Sequence, residues 1–265
     1  LPQYTAVFMN MDSSILKDNE LIRIALQKAV DRDEFIGDSL DKIRVDTPLM
    51  ELNQEEWLYE LNVEEAQGAL KDAGWSFAEE DTEKLGVRYN DEEEALELKF
   101  IARLYDEGSY RYTETLSAVD FLRRQWEAVG FSIIVEFLPL EEFKSRIMNR
   151  DYDLLLVGHS LGYNLDTYSY WHSTQATPLG QNFSNYKSFA ADSLIEGIRS
   201  TFVKDDKQEL LKELAEKLRE DIPAVFLYRP VYYYATDGKI TGLDMSNLAF
   251  PSDRFARIFS WSFGE

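Results

Sequence analysis

The sequence predicts an α/β protein in which one mixed sheet is flanked by helices. Strand-like and helix-like segments alternate between residues 96 and 157, which is the pattern of consecutive βαβ units. Residues 153–157 (DLLLV) form an almost continuous apolar run, typical of a strand buried on both faces of a parallel sheet. Hydrophobic residues make up 45% of the 265-residue chain, which is enough for a substantial core.

The beginning of the chain is predicted to hold one strand and one helix before a loop. Residues 5–10 (TAVFMN) have the composition of a short buried strand. Asp18 and Asn19 are candidate N-caps for a helix that extends to about Val30, because the apolar side chains that follow fall on one helical face. Residues 45–59 contain a proline and are of mixed polarity, so we expect a loop there.

A second helix is predicted to begin after Asn62 as its cap and to end at Asp72. Gly74 follows, and glycine readily adopts the left-handed conformation that ends a helix. Two acidic runs, at residues 79–83 and 91–94, are then expected to form a solvated loop. Their spacing does not follow the alternate-position pattern of a calcium-binding loop.

The remaining elements follow from the same periodicities. They are strands over residues 96–101, 131–138, 153–157 and 223–236, helices over residues 110–129, 140–148, 190–200 and 204–220, and a short apolar, alternating tail over residues 248–263. Residues 158–188 are irregular and rich in Tyr, Asn, Ser and Thr, and irregular segments of this length are usually functional. We therefore predict one α/β lobe, residues 1–247, with a terminal segment, residues 248–265.

Composition excludes several classes of function. A net charge of −21 argues against nucleic-acid binding, which needs a basic face. The absence of cysteine excludes disulfides, thiolate nucleophiles and cysteine zinc sites, and it fits an extracytoplasmic bacterial protein as well as many cytosolic proteins. No apolar run is long enough to span a membrane. The chain opens with Leu1 and shows no signal peptide, so we expect a mature form or an excised fragment.

Residues 158–162 (GHSLG) match the G-x-S-x-G nucleophile elbow of α/β hydrolases and follow a predicted buried strand. The bulky residues after Gly162 do not suit the helix that an elbow requires. His172 is too close in sequence to supply a distant base, and His159 is adjacent to Ser160. These features argue against a serine hydrolase that uses Ser160, which is kept as the alternative hypothesis. The two histidines are not at metal-ligand spacing, so no metal and no cofactor is predicted.

Five segments occur in an order that is informative as a set. They are residues 4–10 (YTAVFMN), 21–32 (LIRIALQKAVDR), 66–75 (AQGALKDAGW), 181–195 (beginning QNFSNY) and 222–228 (IPAVFLY). In this order they resemble the C-terminal lobe of the peptide/nickel-type solute-binding proteins that feed ABC importers. The N-terminal lobe of that family has no counterpart in this sequence.

The resemblance implies a fold and a function. The fold is a single lobe of a two-lobed, periplasmic-binding-protein type II-like clamp, and residues 248–265 would return to the missing lobe. The function is capture of a peptide-like or other small polar solute and delivery to ABC permease subunits. It also implies a protein outside the cytoplasm, anchored to the membrane only through a part outside this chain, with no catalytic role. A serine hydrolase and a plain interaction module are the alternatives.

The resemblance also nominates ligand-binding residues. The segment 152–173 is similar to the cleft-facing segment of the family, with His159 at the usual aromatic position, Asp166 in an Asp-rich turn and Trp171 after it. Tyr228 and Arg229 follow a strand that the family places near the hinge and cleft. The same edge of the sheet is expected on physical grounds, because ligands bind at the carboxyl ends of parallel strands.

Two further tyrosines, Tyr163 and Tyr186, can offer flat faces with a hydrogen-bonding tip to a ligand, or can pack over their own loop. Asn182 is expected to bond loop backbone. The acid with which peptide-binding members of the family pair the peptide amine falls near Gly162 in this sequence. We therefore expect that the ligand amine is not anchored from this lobe, with Asp166 as the alternative anchor.

Overall fold

The computed structural model describes residues 1–78, 86–246 and 248–263. Its helices are α1 (Glu20–Lys28), α2 (Arg32–Ile36), α3 (Val63–Asp72), α4 (Tyr110–Glu127), α5 (Leu140–Asn149), α6 (Tyr168–Trp171), α7 (Phe189–Ser200) and α8 (Lys204–Asp221). Its strands are β1 (Gln3–Met9), β2 (Lys42–Arg44), β3 (Ser76–Phe77), β4 (Arg88–Tyr89), β5 (Glu97–Arg103), β6 (Ser132–Leu138), β7 (Leu154–Ser160), β8 (Ala224–Pro230), β9 (Ile240–Thr241) and β10 (Ser262–Phe263). No helix in these ranges has the length and apolarity needed to cross a bilayer.

The main sheet has six strands in the order β2-β8-β1-β7-β5-β6. Strands β5, β6 and β7 are parallel to one another, whereas β1 runs antiparallel to its two neighbours, β7 and β8. The sheet is therefore mixed, as predicted. Strands β5 to β8 all point the same way, so their carboxyl ends meet at one edge of the sheet.

Helices cover both faces of this sheet. One core lies between the sheet and α1, α3 and α4, and it contains Trp126, whose indole nitrogen donates to the carbonyl of Leu26 at 2.9 Å. The second core lies between the other face and α5 to α8, and it contains Phe8 and Trp171. Alternate residues of each central strand enter the two cores, which explains why β1 and β7 are apolar on both faces.

Several local predictions are confirmed. The side chains of Asn19 and Asn62 accept hydrogen bonds at the starts of α1 and α3, and α3 ends at Asp72 as expected. Gly74 has a φ of +87°, the left-handed conformation predicted for it. Residues 91–94 are exposed, whereas the acidic run at residues 79–83 lies outside the described residues.

Other local predictions differ from the structure. Strand β7 continues through His159 and Ser160, because β1 pairs with it along its whole length. Strand β8 stops at Pro230, short of the predicted residue 236. The tail, for which the sequence predicts only a short, apolar, alternating segment, forms two short 3₁₀ turns and the strand β10, which pairs with β9.

A buried ion pair joins the β2 edge of the sheet to the second core. The Nε atom of Arg32 lies 3.3 Å from the carboxylate of Asp46, and both side chains are almost fully buried. The same carboxylate accepts from the backbone nitrogen of Tyr59 at 2.5 Å and from Arg44 at 2.6 Å. Burial lowers the pKa of Arg32. The buried carboxylate thus accepts hydrogen bonds from Tyr59 and Arg44 and is the counter-ion of Arg32, whose Nε–H donates to the carbonyl of Phe226 at 2.8 Å.

Candidate functional site

A cavity of about 560 Å³ opens at the edge of the sheet where the carboxyl ends of β5, β7 and β8 meet the start of β1. The first turns of α4 close one side of it. This is the edge at which α/β sheets bind ligands. The residues of the cavity wall that matter below are Thr5, Asp41, Arg103, Tyr105, Tyr110, Arg111, Glu114, Thr115, Gly158, His159, Ser160 and Tyr228.

Tyr228 lies on the cavity wall and is hydrogen-bonded to α4. Its hydroxyl donates to the Glu114 carboxylate at 2.5 Å, and the Lys42 ammonium lies 3.4 Å from the same carboxylate. The ammonium also lies 5.0 Å from the centre of the Tyr228 ring. Burial and, after it, the neighbouring Glu114 raise the pKa of Tyr228, so its hydroxyl stays a donor. The Glu114 carboxylate therefore already has two partners within the protein.

The second acidic group of the cavity wall, Asp41, is also occupied. Its carboxylate accepts hydrogen bonds from the hydroxyls of Ser39 and Tyr110. These bonds lower the pKa of Asp41. Tyr110, at the start of α4, is thereby tied to the segment that precedes β2, although its ring is 63% exposed.

Among the residues that the structure describes, the basic groups of the wall have no such partners. Arg103 ends β5 and Arg111 lies in the first turn of α4, and their guanidinium groups lie 4.3 Å and 5.8 Å from the centre of the Tyr105 ring. The wall thus combines aromatic faces, two cations that have no carboxylate partner in the described part of the chain, and two acids that are already bonded. The sequence reasoning missed Arg103, Tyr105 and Arg111, although they follow the carboxyl end of a predicted parallel strand.

Ser160 lies at the end of β7, and its hydroxyl oxygen is buried with no hydrogen-bond partner among the described residues. It is not a nucleophile elbow, because β7 continues into a loop and the next helix begins only at Tyr168. The imidazole of His159 is bonded to Tyr4, and that of His172 contacts Thr174 and Glu196. Within residues 1–78, 86–246 and 248–263, the hydroxyl of Ser160 therefore has no hydrogen bond to the base that a serine hydrolase needs.

His159, predicted to contact ligand, lies on the cavity wall but points mainly into the second core. Its Nδ1 atom lies 2.9 Å from the hydroxyl of Tyr4, and its ring stacks on Tyr170 with the centroids 4.0 Å apart. Only 4% of the residue is exposed, and its Nε2 atom has no partner among the described residues. Burial lowers the pKa of His159 to about 3, so the ring is neutral at ordinary pH.

The structure places Trp171 and Tyr186 in the core instead of the predicted cleft. Trp171 is completely buried and packs against Phe8 and Phe226. Tyr186 is 1% exposed, and its hydroxyl donates to Asp221 at 2.6 Å. Both side chains lie in the second core, because the irregular segment at residues 158–188 packs over that face of the sheet. Asn182 accepts from the nitrogen of Tyr186 at 3.1 Å, the backbone role expected for it.

Three other predicted residues lie away from the cavity wall. Tyr163 is 62% exposed, and its ring contacts Phe250 of the tail at a centroid distance of 5.9 Å. Asp166 accepts from the nitrogen of Tyr168 at 3.0 Å and lies 3.3 Å from Nε of Arg199, so it holds its own loop and joins it to α7. Arg229 is half-buried in β8 and pairs with Ile43. Of the seven predicted residues, the structure brings His159 and Tyr228 to the cavity.

Within the described ranges, no group of three or more His, Asp or Glu side chains is arranged to hold a metal ion. What the wall offers is hydrogen bonds, aromatic faces and charge. An α/β lobe with an open polar and aromatic cavity at the carboxyl ends of its parallel strands is the architecture of a ligand-binding lobe. The fold and the site therefore define the protein as a binding lobe.

Comparison with known proteins names the family. Residues 2–181 match the family described as bacterial extracellular solute-binding proteins, family 5 middle. This match covers more than half of the chain, and the chain belongs to that family. The oligopeptide-binding protein AppA of Bacillus subtilis (strain 168) is 27% identical over 256 residues, which cover 90% of this chain and 44% of AppA.

Solved structures show the same fold. NikZ from Campylobacter jejuni, in complex with Ni(L-His), matches with a TM-score of 0.78 and 21% identity over 98% of this chain and 52% of NikZ. AppA from Bacillus subtilis, in complex with a nonapeptide, matches with a TM-score of 0.77 and 21% identity over 99% of this chain and 51% of AppA. The chain spans about half the length of these relatives, and the predicted single lobe of a type II periplasmic-binding fold is confirmed.

Proposed function

We propose that this chain is the C-terminal ligand-binding lobe of the substrate-binding component of an ABC importer. The full protein would act outside the cytoplasm. It would capture a peptide-like or other small polar solute between two lobes and deliver it to the permease subunits in the membrane. The observation that carries this proposal is the open cavity of about 560 Å³ at the carboxyl ends of β5, β7 and β8, in a member of a solute-binding family. The peptide class is supported by the ligands of the relatives, an oligopeptide and a nonapeptide for AppA.

The ligand would lie against the wall that α4, β5, β7 and β8 form. Tyr228 and Tyr105 would supply aromatic faces, and the buried hydroxyl of Ser160 would gain the hydrogen-bond partner that it lacks. His159 would support this wall from the side of the second core, through its hydrogen bond with Tyr4. Since the lobe forms only one wall of a cleft, it should bind the solute more weakly alone than within the full protein.

We also propose that the full protein is not an enzyme, that it is held at the membrane by an anchor outside this chain, and that residues 1–247 and 248–265 divide as the sequence predicts. The tail supports this division through its exposed apolar side chains. Phe259 and Phe263 are 85% and 84% exposed, and side chains of this kind seek cover on another surface. The N-terminal lobe of the full protein would provide that surface.

A blocked cavity tests the location of the site. Thr115 lies on the cavity wall on α4, whereas Thr113 lies two residues earlier on the same helix and is exposed. In the full-length protein, Thr115→Trp should lower the capture of peptides from a random pentapeptide mixture at least tenfold, and Thr113→Trp should leave it unchanged. Capture is measured by mass spectrometry of the peptides that co-purify. Equal capture by both variants would place the site elsewhere.

A further inference from the structure

The segment that leaves the main sheet after β8 contains a chemically reactive pair of residues. Asp237 and Gly238 lie between β8 and β9, in a stretch over residues 231–239 that forms no helix or strand, and both residues are exposed. In the sequence this is the single place where an aspartate precedes a glycine, and no asparagine precedes one. The pair is therefore distinct from every other aspartate of the chain.

The backbone nitrogen of Gly238 is open to the carboxyl group that precedes it. Gly238 has a φ of +80°, and among the described residues, its chain neighbours aside, no atom lies within 4 Å of the position that a Cβ would take. A glycine also brings no side chain of its own to crowd that nitrogen. The carboxyl carbon of Asp237 and the nitrogen of Gly238 are separated by the atoms that complete a five-membered ring.

The contacts that hold this turn are local. The nitrogen of Gly238 donates to the hydroxyl of Thr236 at 3.2 Å, and the carboxylate of Asp237 accepts from the nitrogen of Lys239 at 3.1 Å. Each bond joins residues two apart in an exposed turn, where water can replace either partner. The pair can therefore leave this arrangement without disturbing the two cores of the lobe.

A second exposed aspartate lies before a small residue and shows the contrast. Asp38 precedes Ser39, but the nitrogen of Ser39 donates to the carbonyl of Ile36 at 3.1 Å in the turn that follows α2. The hydroxyl of Ser39 also donates to the Asp41 carboxylate. The nitrogen of Ser39 is thus held by the backbone and crowded by its own side chain, whereas that of Gly238 is neither.

We infer that Asp237 and Gly238 form a self-modification site at which aspartate converts to isoaspartate. The nitrogen of Gly238 bonds to the side-chain carboxyl carbon of Asp237, and the amide proton leaves with the carboxyl hydroxyl as one water. The succinimide ring then takes up one water. Opening at the side-chain carbonyl restores aspartate, and opening at the main-chain carbonyl gives isoaspartate. Water is released and then consumed, so no further reactant is needed.

The change acts on the connection between the lobe and its tail. Isoaspartate directs the main chain through the former side chain, which lengthens the backbone by one methylene group directly before β9. Strand β9 pairs with β10, so the altered connection is the one through which this small sheet is attached to β8. The inference is independent of the proposed function, because it needs only the exposed turn and solvent.

The experiment follows the full-length protein during several weeks of incubation at physiological temperature and pH in oxygen-18 water. Opening of the succinimide places one heavy oxygen in the product whichever carbonyl is attacked, so the label records every passage through the ring. Trypsin cleaves after Arg219 and Lys239 but not before Pro230, which leaves Asp237 in the peptide of residues 220–239. Fragmentation of this peptide in a mass spectrometer locates the label and separates the two isomers.

The internal control and two variants make the test specific. Asp237 should acquire the label and isoaspartate, and Asp38 should stay unlabelled because the nitrogen of Ser39 is held. Gly238→Ala has open space for its methyl group and should slow labelling severalfold, since that group hinders the nitrogen. Asp237→Glu should abolish labelling at this position, because its longer side chain does not close the five-membered ring.

The outcomes are decisive in both directions. Labelling at Asp237 that falls in Gly238→Ala and disappears in Asp237→Glu supports the self-modification site. No label at Asp237 in the wild type, equal labelling of Asp38, or a rate that Gly238→Ala leaves unchanged overturns it. Peptide capture by the full-length protein is measured separately, so none of these results alters the standing of the proposed function.

Discussion

The neutral, buried imidazole of His159 predicts a specific dependence of stability on pH. The folded-state pKa is about 3, whereas an unperturbed histidine has a pKa near 6.5. Below about pH 6.5 the histidine binds a proton in the unfolded chain, whereas in the folded protein it binds one only near pH 3. His159 therefore leaves stability intact above pH 6.5 and lowers it progressively as the pH falls through this window.

The size of the effect follows from the two pKa values. Between pH 7 and pH 5 the protonation of this one group in the unfolded state lowers the free energy of unfolding by about 2 kcal/mol. Most carboxylates remain ionised over that range, so the contribution of His159 should stand out. The measurement is urea unfolding of the chain at pH 7, 6 and 5 at constant ionic strength, with the free energy of unfolding extrapolated to water.

Substitution of His159 by Gln should remove this pH dependence. Glutamine does not titrate, and its amide can accept from the Tyr4 hydroxyl, but the stacking on Tyr170 is lost. The variant should thus be less stable at pH 7 and should lose about 2 kcal/mol less than the wild type on going to pH 5.

Phe226→Leu is the matched control for that variant. Phe226 lies in the same core and contacts Tyr4 and Trp171 but carries no titratable group. It should lower the free energy of unfolding by about 1 kcal/mol at every pH and leave the slope of the wild type unchanged. If His159→Gln and the wild type lose the same free energy between pH 7 and pH 5, the burial argument for His159 is wrong.

Three further predictions concern other parts of the molecule. A fluorophosphonate probe should label neither the wild type nor Ser160→Ala, because no base contacts that hydroxyl; stoichiometric labelling of the wild type alone would revive the hydrolase alternative. Asp46→Ala should lower the free energy of unfolding by about 3 to 5 kcal/mol, since it leaves the buried positive charge of Arg32 without its carboxylate counter-ion, and a loss under about 1 kcal/mol in urea titration would contradict this. Deletion from Leu248 onward should change the unfolding free energy of the lobe by less than about 1 kcal/mol, as its apolar side chains are mostly exposed, and loss of the cooperative transition would show that the tail belongs to the core.

The parts of the fold that local chemistry determines could be predicted from the sequence. Asn19 and Asn62 start helices because a short polar side chain can accept from the free nitrogens of the first turn, and that signal needs no distant partner. The parallel order of β5, β6 and β7 also follows from the strand–helix alternation between them. By contrast, the antiparallel position of β1 depends on partners far along the chain, which periodicity does not reveal.

The site was harder to predict for a related reason. Trp171 and Tyr186 lie in an irregular, aromatic segment, and such a pattern is equally compatible with a cleft and with a second core layer. Arg103 and Arg111 carry no local signal of being unpaired, since pairing is a property of what surrounds them in space. The rule that ligands bind at the carboxyl ends of parallel strands would have found them if applied to β5 as well as to β7.

The central place of β1 has a consequence for how the chain reaches its folded state. Met9 pairs with Leu154 and Phe8 with Ala224, so the first strand of the sequence needs the latest strand of the sheet before both of its edges are bonded. Loops of this length must close before the contacts form, which places the lobe among slow folders. During synthesis β1 is made before both of the strands that flank it, and chains that stop before β8 leave a bare central edge open to wrong pairing.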